Sequence, residues 1–385
     1  MMLHARALVS LCLLGTVLAG CSHGPQPKKV GLITAIGGIG DGSIDDAAVA
    51  GLKACETQYG ATIRIIEPHS EDDIGAAALR LATQDYGEII GIGTQTADPI
   101  GSLAQRFATT HFTVVGAPAI GPNVQSIRFK REEGAFLAGA LAAQVSTSGT
   151  IGFLGGAPSP QVRQDVSGYT AGARAVRPQI RVVRDLQATF DDSAKAEVAA
   201  ARLAAQGADV TFVVAGRAGI AAIASIKARP HGYAIGVDAD QDALAPGRML
   251  GSVVTNAGAA VQQACEDSIG QKPVSGTTQL GLADGAITLT RPAAAAAVVT
   301  PAVWSRVARL RAAIVAGTQT VPSGLLASDE PQPPPAFGAV LVAPPGMEEA
   351  VERGRLGWVW GWILVGGFLI FFGGTSAARI WIERR

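Results

Sequence analysis

From Lys28 onward, short apolar runs alternate with longer Ala-rich amphipathic stretches, and this alternation constrains the fold more than any other feature of the chain. Residues 30–36, 62–67, 88–93, 112–116, 150–154, 180–185, 209–214 and 233–237 read as strands; 45–59 and 73–83 read as helices between them. Strands that are apolar almost throughout, each followed by a helical window, predict an α/β fold with a parallel sheet covered on both faces. Glycines at or just past the strand ends (Gly37, Gly38, Gly93, Gly155, Gly156, Gly216) leave bare backbone where open parallel sheets bind ligands. After Gly285 the alternation fades into an Ala-rich segment and a helix over 301–317, stopped by glycine with Pro322 beyond. No short-period repeat points to a solenoid.

The two ends carry different signals. Residues 1–20 hold Arg6, an apolar run over 7–18 and then small residues, the plan of an export signal. Leu18-Ala19-Gly20-Cys21 places one apolar and two small residues directly before a cysteine, as in bacterial lipoprotein signals. Cys21 is therefore the expected lipidation site, with 21–27 a tether; two or more acyl chains hold a protein stably on a bilayer. Residues 356–378 contain no charged side chain, and at ~1.5 Å per residue a helix of that length crosses a ~30 Å hydrocarbon core. Trp358, Trp360, Trp362 and Trp381 suit the interfaces, and Arg379, Arg384 and Arg385 suit a cytoplasmic flank. The expectation is a C-terminal transmembrane helix with a cytoplasmic tail over 379–385, joined to the folded part by a Pro-rich linker, 327–355. The folded part then lies outside the cytoplasm, attached to the cell membrane.

Composition and motifs exclude several function classes. Lys and Arg total 31 and Asp and Glu total 31, so no basic surface speaks for nucleic acid. Of four cysteines, Cys12 lies in the signal and Cys21 at the lipid site; Cys55 and Cys265 alone make no disulfide framework. No Cys/His cluster has metal-ligand spacing, and no phosphate loop, His-Glu-x-x-His or Gly-x-Ser-x-Gly occurs. Residues 37–43 look superficially like a dinucleotide loop but miss its spacing and read as a tight turn. Five scattered histidines leave little material for a Ser/His/Asp arrangement. Pairs such as Glu132/Glu133 and Asp191/Asp192 read as solvated helix starts. The expectation is a binding protein without catalysis, cofactor or metal. Two acidic strand-end segments, 41–46 and 238–242, fit either hydroxyl recognition in a cleft or helix N-capping by Asp45 or Asp240.

A family resemblance rests on ordered blocks. Asp41-Gly-Ser-Ile-Asp-Asp-Ala-Ala-Val-Ala-Gly51 resembles the opening motif of the basic membrane protein family of lipoproteins, which includes purine nucleoside receptors. Pro122-Asn-Val, the block from Phe129-Lys-Arg-Glu-Glu-Gly to Ala143, Gly152-Phe-Leu-Gly-Gly156, Phe190-Asp-Asp192, Val214-Ala-Gly216 and Ile235-Gly-Val-Asp-Ala-Asp-Gln241 follow in family order, covering most of 30–325.

The resemblance implies a type I periplasmic-binding-protein fold, two Rossmann-like lobes with three crossovers, closing over a ligand as the receptor of an ABC importer. The implied lobes are 28–127 with 256–275 and 128–255 with 276–326, hinged near 125–129, 253–256 and 273–276. Asp41, Phe190, Gly216 and Asp238 match its ligand positions, with Phe190 stacking on a base and Asp238 holding ribose hydroxyls. Other ligand positions depart: Ile44 replaces a stacking Phe, Asp45 an Asn, Gly116 an acid, Arg217 a Gly and Thr255 a Lys. A purine nucleoside, another nucleoside and another small polar molecule therefore all stay open as ligands, and the partner is an ABC permease or another membrane protein. The alternative is a membrane-tethered sensor or scaffold, motivated by the C-terminal apolar run.

Overall fold

The computed structural model describes residues 28–36, 38–40, 43–186, 189–326 and 329, together with 361–365, 368–372 and 381–384. The export segment, Cys21, Asp41 and most of the linker lie outside the described residues.

Five strands of the first lobe come from its N-terminal part: β1 (Lys29–Ile33), β2 (Thr62–Ile66), β3 (Glu88–Ile92), β4 (His111–Val115) and β5 (Val124–Phe129). They join a distant strand, β11 (Gly276–Leu280), in a six-stranded sheet ordered β11-β5-β4-β3-β1-β2, every pair parallel. The second lobe repeats the plan with β6 (Thr150–Gly155), β7 (Arg181–Asp185), β8 (Val210–Val214), β9 (Tyr233–Asp238), β10 (Met249–Thr255) and β12 (Ile287–Leu289). Its order is β12-β10-β9-β8-β6-β7, with only β12 antiparallel. Central strands β3, β4, β6 and β8 are buried along their whole length, which is why they read as unbroken apolar runs.

The chain crosses between lobes after β5, after β10 and after β11. The third crossing corrects the expected boundary at 276: β11 pairs with β5, so the change of lobe follows Leu280. Gly276-Thr-Thr-Gln-Leu280 is an edge strand that buries little, so it carries no apolar signal. Its place is set by backbone pairing alone.

Helices start where local chemistry satisfies their free N–H groups. Ser70 caps α2 (Glu71–Thr83), Asp192 caps α6 (Ser193–Ala205), and Ser159 followed by Pro160 opens α5 (Pro160–Val176). Helix α4 (Arg131–Val145) is apolar on all sides because it lies between sheet, α5 and α9 (Pro301–Val315). Helices α4 and α5 meet backbone to backbone: a methyl group at Gly139 would collide with the Tyr169 carbonyl, and one at Gly172 with the Phe136 carbonyl.

In the first lobe α1 (Ile44–Tyr59) and α8 (Ala257–Ile269) meet as closely, Gly51 against the Gly258 carbonyl. A disulfide joins these two helices, Cys55 to Cys265, across 210 residues of sequence. The pair that two leftover cysteines did not announce is therefore a staple inside one lobe.

Residues 333–385 form a separate unit. Its described residues form an antiparallel sheet of β13 (Gly361–Val365), β14 (Phe368–Phe372) and β15 (Trp381–Arg384). This departs from the helix expected over 356–378, and no described helix is long and apolar enough to cross a membrane. A run rich in Trp, Ile, Val and Phe has strong strand preference, and periodicity cannot separate a buried strand from an apolar helix.

Replacing Cys55 and Cys265 together by serine should lower the unfolding free energy by up to about 5 kcal/mol, the loop-closure figure for a loop of this length. Urea unfolding of the two proteins measures it. An unchanged midpoint would show that the staple contributes nothing to stability.

Candidate ligand-binding cleft

The carboxyl ends of both sheets face one cavity of about 720 Å³, within the ~300–1,000 Å³ usual for small-molecule sites. From the first lobe it is lined by Ile36, Ile44, Asp45, Thr94, Gln95 and Gly116; from the second by Gln161, Gln164, Asp165, Phe190, Gly216, Arg217 and Asp238, with Arg128 and Arg131 at the first crossing. Gln161 Nε2 donates to the Gly116 carbonyl at 3.2 Å, a hydrogen bond from one lobe to the other.

Asp45 sits one residue inside α1, 4% exposed, and its Oδ1 accepts from the Ala35 N–H at 2.9 Å. It therefore ties the end of β1 to the start of α1 and is not a helix N-cap. Asp240 likewise accepts from the Asp242 N–H in a local turn. Ile44 presents an apolar side chain beside Gly116, whose missing Cβ would lie 3.6 Å from Ile44 Cδ1. Phe190, 43% exposed, is the cavity's one aromatic wall among the described residues apart from Phe129. Its ring lies against bare backbone: a Cβ at Gly156 would come within 2.5 Å of it. The Phe190 carbonyl accepts from Ala218 N–H at 3.1 Å, fixing this loop to the turn that contains Gly216. Two of the strand-end glycines thus make room for a ring of the protein itself.

Asp238 ends β9 with φ at 67°, in the left-handed region that non-glycine residues enter at a cost of roughly 1–2 kcal/mol. Arg131 holds it there, Nη1 to Asp238 Oδ1 at 2.5 Å. The same guanidinium donates from Nε and Nη2 to Asp165 Oδ2, at 3.1 and 2.8 Å. Thr255 is buried behind Asp238 and donates to its Oδ1 at 3.5 Å. Thr255 is not a lining residue, so it reaches a ligand only through Asp238.

Of the sequence-predicted positions, Ile44, Asp45, Phe190, Gly216, Arg217 and Asp238 thus share one cavity, Thr255 stands behind it, and Asp41 lies outside the described residues. Sequence reasoning missed Arg131 and Asp165. Its only signal was a charged residue opening α4, the most buried of the described helices, inside the block Phe129-Lys-Arg-Glu-Glu. Glu132, read as a solvated helix start, is buried and accepts from Gln164 Nε2 at 2.8 Å. Among the described residues no group of three acids, histidines or cysteines could hold a metal.

Burial pushes the Asp165 carboxyl up to about 6, with Arg131 opposing and Asp238 adding to the rise. Its Oδ1 is buried with no hydrogen-bond partner. Since the folded value lies above the ordinary 3.8, the unfolded chain releases this proton first as pH rises. The carboxyl's contribution to stability is then whole below about pH 4 and lost as pH passes about 6. Chemical unfolding at pH 4 and pH 7 should therefore show the parent losing stability relative to Asp165→Asn as pH rises. A difference constant over that range would mean the carboxyl is already ionised at pH 4.

Comparison with known proteins places this geometry. Residues 28–322 match the family model described as "ABC transporter substrate-binding protein PnrA-like". The "ABC transporter nucleoside-binding protein BmpA" of Lactococcus lactis subsp. cremoris is 30% identical over 249 residues, 59% of this chain and 71% of that protein. Basic membrane protein B of Borreliella afzelii is 33% identical over 208 residues, 51% of this chain and 61% of that one. Among solved structures, an ABC transporter solute-binding protein from Aeropyrum pernix K1 superposes with a TM-score of 0.71 at 22% identity, covering 77% of this chain and 94% of that one. A LacI-family regulator from Enterococcus faecium with bound ribose superposes at 0.55 and 12% identity, covering 69% and 97%. These likenesses establish the two-lobed periplasmic-binding-protein type I fold. On the family match, the chain belongs to the PnrA-like ABC transporter substrate-binding proteins, a binding family and not an enzyme family.

Proposed function

We propose that this protein captures a nucleoside between its lobes and delivers it to an ABC-type permease. The observation that carries the reading is the meeting of one aromatic wall, Phe190, with two differently placed carboxylates, Asp45 and Asp238, in a single cavity. A nucleoside needs both, a face to stack on and acceptors for its sugar hydroxyls and ring donors. The nucleoside-binding relative from Lactococcus lactis supports the same class.

In this reading Phe190 stacks on the base and Ile44 covers its other face without a second ring, forgoing roughly 1–3 kcal/mol of stacking. Asp45 is an acceptor tied to the end of β1 by Ala35 N–H, and its carboxylate on the cavity wall faces a ligand donor. Asp238, oriented by Arg131 and Thr255, takes the ribose hydroxyls. Gly216 and Arg217 border the ribose end, and the family resemblance would add Asp41 as a further acceptor.

The finer localisation belongs to the same proposal: acylation at Cys21 attaches the protein to the outer face of the cell membrane. The Cys55–Cys265 disulfide supports an oxidising compartment outside the cytoplasm. The apolar run 356–378 serves as a second attachment when it enters a bilayer. It would do so as a helix, because short strands with open edges leave backbone groups unsatisfied in hydrocarbon.

Thermal unfolding of the full chain against nucleosides, free bases and sugars tests the ligand class, since a ligand selective for the folded state raises the midpoint. Nucleosides should raise it. Phe190→Ala should weaken binding by roughly 1–3 kcal/mol, about 5- to 150-fold in Kd, and Asp238→Ala should weaken it for every sugar-bearing ligand. A shift with sugars or other compounds alone would reassign the ligand. No shift with any nucleoside would overturn the reading.

A further inference from the structure

The match to the family ends at residue 322, yet the chain beyond it does not leave the domain. It folds back along α5 toward the cleft. Ser167 Oγ donates to the Pro322 carbonyl at 2.9 Å. Gly324, at φ 70°, passes so near this helix that a Cβ there would lie 2.6 Å from Ser167 Cβ and 2.7 Å from the Arg163 carbonyl oxygen. Leu326 N–H donates to Asp329 Oδ2 at 2.7 Å, and Asp329 N–H donates back to the Leu326 carbonyl at 2.9 Å. Arg163 Nη2 donates to Asp329 Oδ1. The Asp329 side chain is left only 8% exposed, and Leu325 and Asp329 both line the ligand cavity.

We propose that Pro322–Leu326 and Asp329 form a strap that completes the wall of the ligand cavity, with Asp329 a specificity-determining acceptor that the family-wide part of the site does not supply. Ion pairing with Arg163, hydrogen bonding from Leu326 N–H and the nearby charge of Arg128 hold the Asp329 carboxyl below its ordinary range, so it stays acceptor-only. Such a group favours ligands that bring an N–H or O–H donor to that side of the cleft and disfavours those that bring an acceptor. The ligand part of this inference rests on the nucleoside reading; the docking of the strap does not.

Two measurements on the full chain test it, using the parent, Asp329→Ala and Asp329→Asn. Amide hydrogen exchange reads docking without any ligand. Protection at Leu326 in the parent, with exchange at least 10-fold faster in Asp329→Ala, is the expected result; an unprotected Leu326 in the parent overturns the proposal. Kd values for adenosine, guanosine, inosine, cytidine and uridine then read specificity. Asp329→Ala should change the ratio between the best and worst nucleoside at least 5-fold, with Asp329→Asn also shifting it because an amide can donate. A uniform loss across all five, or no change, marks the strap as structural only and overturns the assignment of Asp329. If the parent binds none of the five, the nucleoside reading fails and the assignment of Asp329 to nucleoside selection falls with it, while the exchange result still decides the docking.

Discussion

A guanidinium largely withdrawn from water has to be paired, and much of the cleft follows from how Arg131 meets that demand. Leaving a buried charge uncompensated costs several kcal/mol, so the two carboxylates around it are as fixed as the helix that carries it. Arg131 opens α4, Asp165 comes from α5 and Asp238 from the tip of β9, so one planar group sets the relation of three elements. The glycine-mediated contact of α4 with α5 makes the distance short enough for this bridge. The strained backbone at Asp238 persists because ion pair and hydrogen bond hold the side chain from behind. The acid that faces the cavity is thereby oriented by groups that a ligand need not touch.

Much of the fold was legible because burial and periodicity coincide. Strands β1 to β4 and β6 to β9 are interior strands or their direct neighbours, and their apolar runs mark them in the sequence. What the sequence did not mark lies where the chain changes lobes. Strands β5, β10, β11 and β12 stand at the crossings, and β11 and β12 are short edge strands defined more by backbone pairing than by side-chain pattern. The disulfide was equally silent, since two cysteines far apart in sequence carry no pairing information until α1 and α8 are brought together. The C-terminal apolar run illustrates the opposite difficulty: its composition suits a bilayer helix and a sheet equally well, so composition alone does not choose.

The site shows the same division. Ile44, Asp45, Phe190, Gly216, Arg217 and Asp238 could be located because they sit in or beside turns at strand ends, where motif spacing survives. Arg131 was hidden because charge at a helix start normally means solvent, and Asp165 because an acid within a polar helix normally does too; here both lie in the interior. The strap was hidden because Pro322, Ser323 and Gly324 carry no apolar pattern, and it is the Ser167–Pro322 hydrogen bond and the Arg163–Asp329 pair that show this stretch docked. Gly156 and Gly216 are a subtler case: their bareness suggested room for a ligand, and the room is taken by Phe190.

The Cys55–Cys265 bond encloses strands β6 to β10 of the second lobe between its two ends. The first lobe is discontinuous, completed only when α8 and β11 arrive after β10. The two thiols can therefore meet only after β6 to β10 have been laid down, while β12 and α9 of the same lobe still follow in the chain. Formation of the bond requires α8 to have returned to α1 across most of the inserted lobe, so the closed bond marks a chain whose discontinuous first lobe has been brought together.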